Sequence, residues 1–337
     1  PGSGTTTRMM WLESVKENQL FNTDPMIVSS VSTKFEAPKP RVLKASDTLS
    51  YINEDFIHSA IDPLWQHPSI LIEPGKFLKV QEAERVRRMH GYYYVMLDYS
   101  SMDHLHSINS LYEVTKAMCD FFGLPDKYSN WLTQSELHQY IRSGDHELPI
   151  KYGLLTGRRS TTFMNSILNG VYLSIMFKGS GIKPASYYCT GDDVILRFNE
   201  LADAIHFAEY ASHSGFSINQ AKSSIGECGE FLRQWTDPQS YSCGYVNRSI
   251  ASFVDGSWVN DLKLSNMGQL QNYARYAWTL CNRLGDGAFT KALLTYAIHL
   301  RCHISLNLSC DIASLKSAVN GGCVLDPKGD FVTNVIV

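Results

Sequence analysis

The sequence lacks the features that would assign it to several simple classes of protein. Its eight cysteines include no CxxC pair, so neither a zinc ribbon nor a disulfide scaffold is expected in a chain of 337 residues. No apolar run reaches the roughly 18 residues of a transmembrane helix, so we expect no membrane partner. Charged residues make up only 19%, below the usual quarter, which argues against a disordered chain.

A strong charge of either sign is also missing, because 30 basic and 33 acidic residues leave a formal net charge of −3. Local basic clusters must therefore decide whether nucleic acid is a partner. The hydrophobic fraction of 44% is sufficient for a sizeable core, and the length suggests about two domains or one lobed domain. Because the chain begins at Pro1 without methionine, we expect it to be a piece of a longer polypeptide.

Local patterns predict a mixed fold of helices and strands. Residues 92–97 are apolar and rich in β-formers, which predicts a buried strand that stops at Asp98. Residues 187–196 predict a hairpin around the turn Thr190-Gly191-Asp192-Asp193. Periodicity predicts helices over residues 48–66, 104–122, 128–142, 161–177, 200–213 and most of 262–308, with short strands at 216–218 and 231–235.

Acidic residues stand at the ends of two predicted strands. Asp98 ends the first strand, while Asp192 and Asp193 occupy the hairpin turn. If these strands are neighbours in one sheet, the carboxylates lie together and a divalent cation such as Mg²⁺ relieves their repulsion. Two such ions about 3.5–4 Å apart can bind the attacking and leaving oxygens of a phosphoryl transfer. A solvated hairpin tip remains the alternative for an isolated Gly-Asp-Asp turn.

Six short segments with chemically informative residues occur in order along the chain. They are the basic stretch Lys39-Pro-Arg41-Val-Leu-Lys44, Asp98-Tyr-Ser-Ser-Met-Asp103, Thr156-Gly157 with Thr161 and Asn165, Gly191-Asp192-Asp193, Lys222, and Phe231-Leu232-Arg233. In this order they resemble motifs F, A, B, C, D and E of the viral RNA-dependent RNA polymerases. Thr-Thr-Phe-Met-Asn at 161–165, preceded by Arg159 and followed by Leu168-Asn169, is similar to the totivirus type of double-stranded RNA virus.

The resemblance covers residues 36–240 and implies an α+β, right-hand polymerase fold. In that fold an antiparallel palm sheet is backed by helices and joined by fingers and a partial helical thumb. The implied segments are partial fingers at 1–90, palm at 91–103, a fingers insertion at 104–155, palm at 156–254 and partial thumb at 255–337. The chain is short for such an enzyme, so parts of the fingers and thumb are expected to be absent. Thr156 departs from the usual serine but keeps the hydroxyl.

The resemblance also implies a role for each matching residue. Asp98 and Asp192 would bind two Mg²⁺ or Mn²⁺ ions with Asp193 as a weaker ligand, and Lys222 would act as a general acid. The implied nucleotide-binding residues are Lys39, Arg41, Lys44, Asp103, Gly157, Arg159, Thr161 and Asn165. Among these, Asp103 and Asn165 would recognise the ribose 2′-hydroxyl, with Thr161 supporting Asn165, and Arg158 would contact phosphate beside Arg159.

Simpler interpretations of the same residues remain open. Asp103 and Asn165 are typical of helix ends, the basic stretch suits a solvated loop, and Lys222 suits an ordinary surface position. The implied partners are RNA template and product, ribonucleoside triphosphates and a viral capsid protein, in the virion interior or host cytoplasm. Two alternative functions remain. One is a reverse transcriptase, whose acidic turn usually follows a tyrosine and one variable residue, and the other is an inactive RNA-binding or capsid-associated piece.

Overall fold

The fold is described from a computed structural model. It describes residues 15–16, 19–34, 41–72, 93–232, 234–238, 242–255, 280, 292, 295–300, 323–325 and 331–333. The chain divides into two compact units. The first comprises Pro1–Thr33, Val42–Lys76 and Gly91–Gly229, and the second Lys34–Arg41, Phe77–His90 and Glu230–Val337. The predicted thumb at 255–337 and the predicted helices at 262–308 lie mostly outside the described residues.

Helices and strands are interspersed along the described chain. The elements up to the end of the first unit are β1 (Ile27–Lys34), β2 (Arg41–Ser46), α1 (Thr48–Ile61), β3 (Tyr93–Leu97), α2 (Ile108–Phe122), α3 (Asp126–Leu137), β4 (Gln139–Ser143), β5 (His146–Pro149), α4 (Thr161–Ser180), β6 (Ser186–Thr190), β7 (Asp193–Phe198), α5 (Leu201–His213) and β8 (Ser224–Gly226). Short 3₁₀ helices cover Asp62–Leu64 and Met102–His104.

A four-stranded antiparallel sheet, the central sheet, forms the middle of the first unit. Its strand order is β6-β7-β3-β8, so β3 lies between the acidic hairpin and the short strand β8. Tyr94 and Val95 of β3 are fully buried, as the apolar run predicts for an inner strand. Helices α4 and α5 contact this sheet and each other. Leu173, Met176 and Phe207 from these helices join the same apolar core as Val95.

A second four-stranded sheet has the order β2-β1-β4-β5. Strands β1 and β4 are parallel, and β4 and β5 form a hairpin whose turn includes Gly144 at a φ of 60°. The predicted helix at 128–142 is therefore wrong at its end, because α3 stops at Leu137 and residues 139–143 form β4. Pairing with strands on both sides stabilises the extended conformation that Tyr140 and Ile141 favour.

Two other predicted strands also differ from the structure. Residues 216–218 make only an isolated bridge, between Ile218 and Tyr99. The predicted strand at 231–235 is broken at Leu232, whose φ of 51° is incompatible with extended pairing. The pieces are β9 (Gly229–Phe231) and β10 (Gln234–Thr236), which lie in a sheet with β11 (Ser242–Gly244). The remaining elements are α6 (Val246–Asp255), β12 (Cys323–Leu325) and β13 (Phe331–Thr333).

No helix within the described residues is long and apolar enough to cross a membrane. The predicted helix 161–177 is confirmed and extends to Ser180, where Gly181 ends it at a φ of 72°. Such a left-handed residue after a helix is typically glycine, because it lacks a Cβ. α4 buries residues around most of its circumference, among them Met164, Leu168 and Tyr172, as is typical of a helix packed on several sides.

A buried ion cluster joins three elements of the first unit. Arg158, just before α4, donates hydrogen bonds to Glu54 of α1 and to Glu136 of α3, the latter at 2.6 and 2.7 Å. All three side chains are at most 2% exposed. Burial opposes the charge of the guanidinium, but Glu136 and Glu54 outweigh it and raise the pKa of Arg158 above its ordinary value. Arg158 is therefore charged, and its contacts with the two glutamates hold α1, α3 and the start of α4 together.

Replacing Arg158 by methionine should strongly destabilise the chain, because two glutamates would then be buried without a cation. Loss of one partner of a buried ion pair costs about 3–5 kcal/mol. Urea unfolding followed by circular dichroism would measure the free energy of unfolding. Arg142→Met is the matched control, because Arg142 pairs with Glu147 at 2.7 Å but is 58% exposed. Such a surface pair contributes about 0–1 kcal/mol, so equal losses in the two variants would contradict the assignment.

Candidate active site at one edge of the central sheet

Asp98 and the acidic turn lie side by side at one edge of the central sheet. Leu97, the last residue of β3, pairs with Val194 of β7, and Asp193 pairs with Thr190 of β6. Because β3 and β7 are antiparallel, Asp98 leaves β3 where β7 begins, directly beside the turn. The predicted adjacency of the two acidic sites is thus confirmed at the level of strand register. Asp192 and Asp193 are exposed, whereas Asp98 is half-buried.

The segment 217–223 wraps around Asp98 and fixes its backbone. Asn219 N–H donates to the Asp98 carbonyl at 2.7 Å, and Asp98 N–H donates to Ser223 Oγ at 3.0 Å. Lys222 Nζ lies 3.5 Å from Asp98 Oδ2, although 63% of the lysine side chain is exposed. Lys222, the predicted general acid, therefore lies within ion-pair distance of Asp98, a predicted metal ligand. The turn that carries Lys222 also bonds the peptide groups of Asp98.

One carboxylate oxygen at this edge is buried without a hydrogen bond. Asp98 Oδ2 is shielded from solvent and has no hydrogen-bond partner, since Lys222 at 3.5 Å makes an ion pair without hydrogen-bond geometry. Because Lys222 is largely exposed, this shielded oxygen can also bind a metal ion, for which carboxylate oxygens are preferred ligands. Within the described residues, no three acidic, histidine or cysteine side chains gather closely enough to form a complete metal site. The three predicted ligands Asp98, Asp192 and Asp193 therefore do not make up such a group by themselves.

Asp103 and Asn165 are brought together as the sequence predicts. Asn165 Nδ2, on the first turns of α4, donates to Asp103 Oδ1 at 2.9 Å. The other side of the amide faces His106, whose Nε2 donates to Asn165 Oδ1 at 2.7 Å. His106 Nδ1 in turn lies 2.7 Å from the Tyr172 hydroxyl. Four side chains thus form one hydrogen-bonded row that ends at the Asp103 carboxylate.

The protonation state of this row follows from its contacts. Burial lowers the pKa of His106 below its ordinary value, so the imidazole is neutral at pH 7. Because the Asn165 amide donates to Asp103 through its nitrogen, its oxygen must accept from His106. The single ring proton is therefore on Nε2, and Nδ1 accepts from the Tyr172 hydroxyl. This arrangement holds the Asn165 side chain in one orientation beside Asp103.

Gly157 makes the closest backbone approach of the site. Its N–H donates to the Lys44 carbonyl at 3.0 Å, and Lys44 N–H donates to Thr156 Oγ1 at 3.3 Å. A Cβ at position 157 would lie 2.6 Å from the Ala45 Cα and 2.7 Å from the Lys44 oxygen, both backbone atoms. Only glycine fits there, so the loop before α4 and strand β2 form one joint surface. The hydroxyl of Thr156 accepts one of the two hydrogen bonds that join this loop to β2.

The remaining predicted nucleotide contacts are placed differently. Thr161 Oγ1 donates to the carbonyls of Leu155 and Arg158, so it holds the loop rather than Asn165. Arg159 is 26% exposed and pairs with Asp55 and with Asp62. Arg158 has no surface left for phosphate, so the expectation that it contacts RNA is wrong.

The basic stretch that resembles motif F is only partly described. Arg41 begins β2 and is exposed, and Lys44 follows it within the strand. Lys39 lies outside the described residues. Nucleotide binding by Lys39, Arg41, Lys44, Gly157, Arg159 and Thr161 stays a prediction.

Sequence reasoning missed the residues that position this site. They are Glu54, Glu136, His106 and Ser166, while Asn169 was named only as part of the family pattern and without a role. Glu54 had a usable signal, because it precedes Ile57 and Ile61 on the buried face of α1, where an acidic residue requires a buried cation. His106 had none, because its partners Asn165 and Tyr172 are 59 and 66 residues away in the chain.

Comparison with known proteins assigns the chain to a family. The family described as Viral RNA-directed RNA-polymerase matches residues 2–258. The chain belongs to this family. The probable RNA-directed RNA polymerase of Helminthosporium victoriae virus-190S is 31% identical over 261 residues, which are 77% of this chain and 31% of the relative. That of Leishmania RNA virus 1 - 1 is 25% identical and covers 98% of this chain and 38% of its own length.

These relatives confirm the totivirus-like resemblance, and the chain spans about a third of the length of each. Among solved structures, the RNA-dependent RNA polymerase of a human picorbirnavirus is similar in fold, with a TM-score of 0.60 at 13% identity. The match covers 87% of this chain and 60% of that one. The mixed α and β fold with antiparallel sheets is therefore that of a viral RNA polymerase.

Gly157→Ala should destabilise the chain, because its Cβ would overlap backbone atoms that cannot move aside. Overpacking of this kind costs about 1–3 kcal/mol. Gly226→Ala is the control, because a Cβ at Gly226 would have no neighbour nearer than 3.7 Å. The control should be neutral or stabilising by up to about 1 kcal/mol, through reduced freedom of the unfolded chain. Urea unfolding would measure both variants, and a neutral Gly157→Ala would contradict the close approach.

Proposed function

We propose that this chain carries the catalytic centre of an RNA-dependent RNA polymerase. In this proposal it performs template-directed transfer of ribonucleotides to an RNA 3′-end. The observation that supports it best is the junction of Asp98 with the turn at Asp192, beside the hydrogen-bonded pair Asp103–Asn165. Asp98 and Asp192 suit phosphoryl transfer, and Asp103 with Asn165 suits selection of a ribose.

Two Mg²⁺ or Mn²⁺ ions are the proposed cofactors, with Asp98 and Asp192 as the main ligands and Asp193 as a weaker one. When bound, such ions supply a positive charge that stabilises the attacking and leaving oxygens in the transition state. The buried Asp98 Oδ2 without a hydrogen-bond partner is what supports a cation here. The carboxylates contributed by the chain would be completed by water and by the triphosphate, as Mg²⁺ sites commonly are.

The proposed reaction begins with the 3′-hydroxyl of a primer, or of the first nucleotide. This hydroxyl gives its proton to solvent water and attacks the α-phosphorus of the incoming ribonucleoside triphosphate, and the bond to pyrophosphate breaks. Lys222 is the proposed proton donor to the leaving pyrophosphate, supported by its position 3.5 Å from Asp98. Arg41, Lys44 and Arg159 are the proposed triphosphate contacts.

The central sheet would serve as the palm of a right-hand polymerase. Strands β3, β6, β7 and β8 all lie within residues 91–103 and 156–254, the segments expected to form the palm. The segments expected to form the fingers, 1–90 and 104–155, supply the four strands of the second sheet. RNA template and product would be the partners. By analogy with totiviruses, a capsid protein and a location in the virion interior or host cytoplasm are also proposed.

Asp192→Asn and Asp98→Asn should each abolish synthesis, because each removes a charged metal ligand. A loss of several kcal/mol in the transition state lowers the rate roughly a hundredfold or more. The measurement is metal-dependent incorporation of labelled ribonucleotides on an RNA template. Asp203→Asn is the matched control, an exposed aspartate in the first turn of α5. Near-normal activity of Asp192→Asn would contradict the metal assignment, and a wild-type chain that binds RNA without synthesis would favour an inactive binding piece.

Asn165→Ala should reduce the preference for ribonucleotides over deoxyribonucleotides. The wild-type chain should prefer ribonucleotides, and loss of one hydrogen-bonding group worth about 1.4 kcal/mol lowers the preference tenfold. The measurement is the ratio of kcat/KM for each nucleotide and its deoxy analogue. The control is Asn109→Ala, on the exposed face of α2. A wild-type preference for deoxyribonucleotides would instead indicate a reverse transcriptase.

A further inference from the structure

The acidic turn is held by side chains from α4 that have no assigned role. Gly191, with a φ of 55°, has both of its peptide groups bound by this helix. Its N–H donates to Ser166 Oγ at 2.8 Å, and its carbonyl accepts from Asn169 Nδ2 at 2.9 Å. Ser166 uses its own proton on the Thr162 carbonyl, which leaves its oxygen free to accept. The residue that precedes Asp192 is therefore fixed at both ends by α4.

The same asparagine also binds the residue that follows Asp98. The Tyr99 hydroxyl donates to Asn169 Oδ1 at 3.0 Å, and both side chains are buried. Because the Asn169 amide gives its nitrogen to the Gly191 carbonyl, its oxygen faces Tyr99 and accepts from the phenol. A continuous series of peptide bonds and hydrogen bonds therefore connects Asp98 through Tyr99 and Asn169 to Gly191 and Asp192.

Asparagine suits this position because one planar amide donates and accepts at the same time. Leucine has a similar volume but would leave the Gly191 carbonyl and the Tyr99 hydroxyl unpaired in a buried place. Aspartate could accept from Tyr99 but could not donate to the Gly191 carbonyl. Asn169 and Asn165 are four residues apart on α4, so the two amides lie on one face of the helix.

We propose that Asn169 is a positioning residue that sets the separation of the Asp98 and Asp192 carboxylates for metal binding. It acts through Tyr99 on one side and through the Gly191 peptide on the other, and it does not itself touch metal or substrate. This role rests on the metal site of the proposed function. Partners that orient metal ligands typically change metal affinity by about 10–100-fold when they are replaced.

The test is Mn²⁺ binding to the purified chain, followed by the electron paramagnetic resonance signal of the free ion. Asn169→Leu should weaken binding about 10–100-fold, and Tyr99→Phe, which removes one oxygen atom, should weaken it about tenfold. Because Tyr99 acts through Asn169, the double variant should bind no more weakly than Asn169→Leu alone. Circular dichroism checks that each variant is folded. If Asn169→Leu does not fold, the Mn²⁺ affinity of Tyr99→Phe alone decides the test.

Two controls separate the outcomes. Ser174→Ala removes a hydroxyl that donates to the Gly170 carbonyl of the same helix, and this variant should bind Mn²⁺ like the wild type. Asp192→Asn should lose tight binding. If Asp192→Asn loses it while Asn169→Leu and Tyr99→Phe keep wild-type affinity, Asn169 does not position the carboxylates. If Asp192→Asn also keeps wild-type affinity, the metal site itself is wrong and the role of Asn169 is overturned with it.

Discussion

The charge on Arg158 is the constraint on which the first unit depends. A guanidinium with almost no contact with water requires nearby carboxylates, and Glu54 and Glu136 supply them from two different helices. The neighbouring residue, Gly157, is pressed against β2, and α4 begins four residues after Gly157. One buried cation therefore determines where two helices, one strand and the start of α4 meet.

α4 carries that constraint to the acidic edge of the sheet. Its N-terminal turns present Asn165 to Asp103, and the next residue Ser166, together with Asn169 one turn further on, holds the peptide groups of Gly191. Asn165 and Asn169 use their amides on residues outside the helix, whereas Ser166 bonds both Gly191 and the Thr162 carbonyl of α4 itself. The helix thus acts as a rigid spacer between the residues that would recognise a ribose and those that would bind metal.

Much of this arrangement could be predicted from sequence, because it is encoded locally. The strand before Asp98, the hairpin around Asp192 and the helix after Thr161 each follow from short-range patterns, and family motifs predicted that Asp103 and Asn165 share a site. The end of the helix predicted at 128–142 was wrong, since strand pairing from distant segments overrode the local pattern. Glu136 and His106 were missed because their roles depend on partners that the fold alone brings near.

The contact between Thr156 and Lys44 has a consequence for the order in which the chain folds. These two residues are 112 positions apart, so closing that loop loses more chain entropy than any local contact does. Long-range contacts of this kind form after the local helices and hairpins that lie between them. We therefore expect the surface shared by β2 and the Gly157 loop to form later than the local helices and hairpins. A growing polypeptide acquires it only after residue 157 has been synthesised.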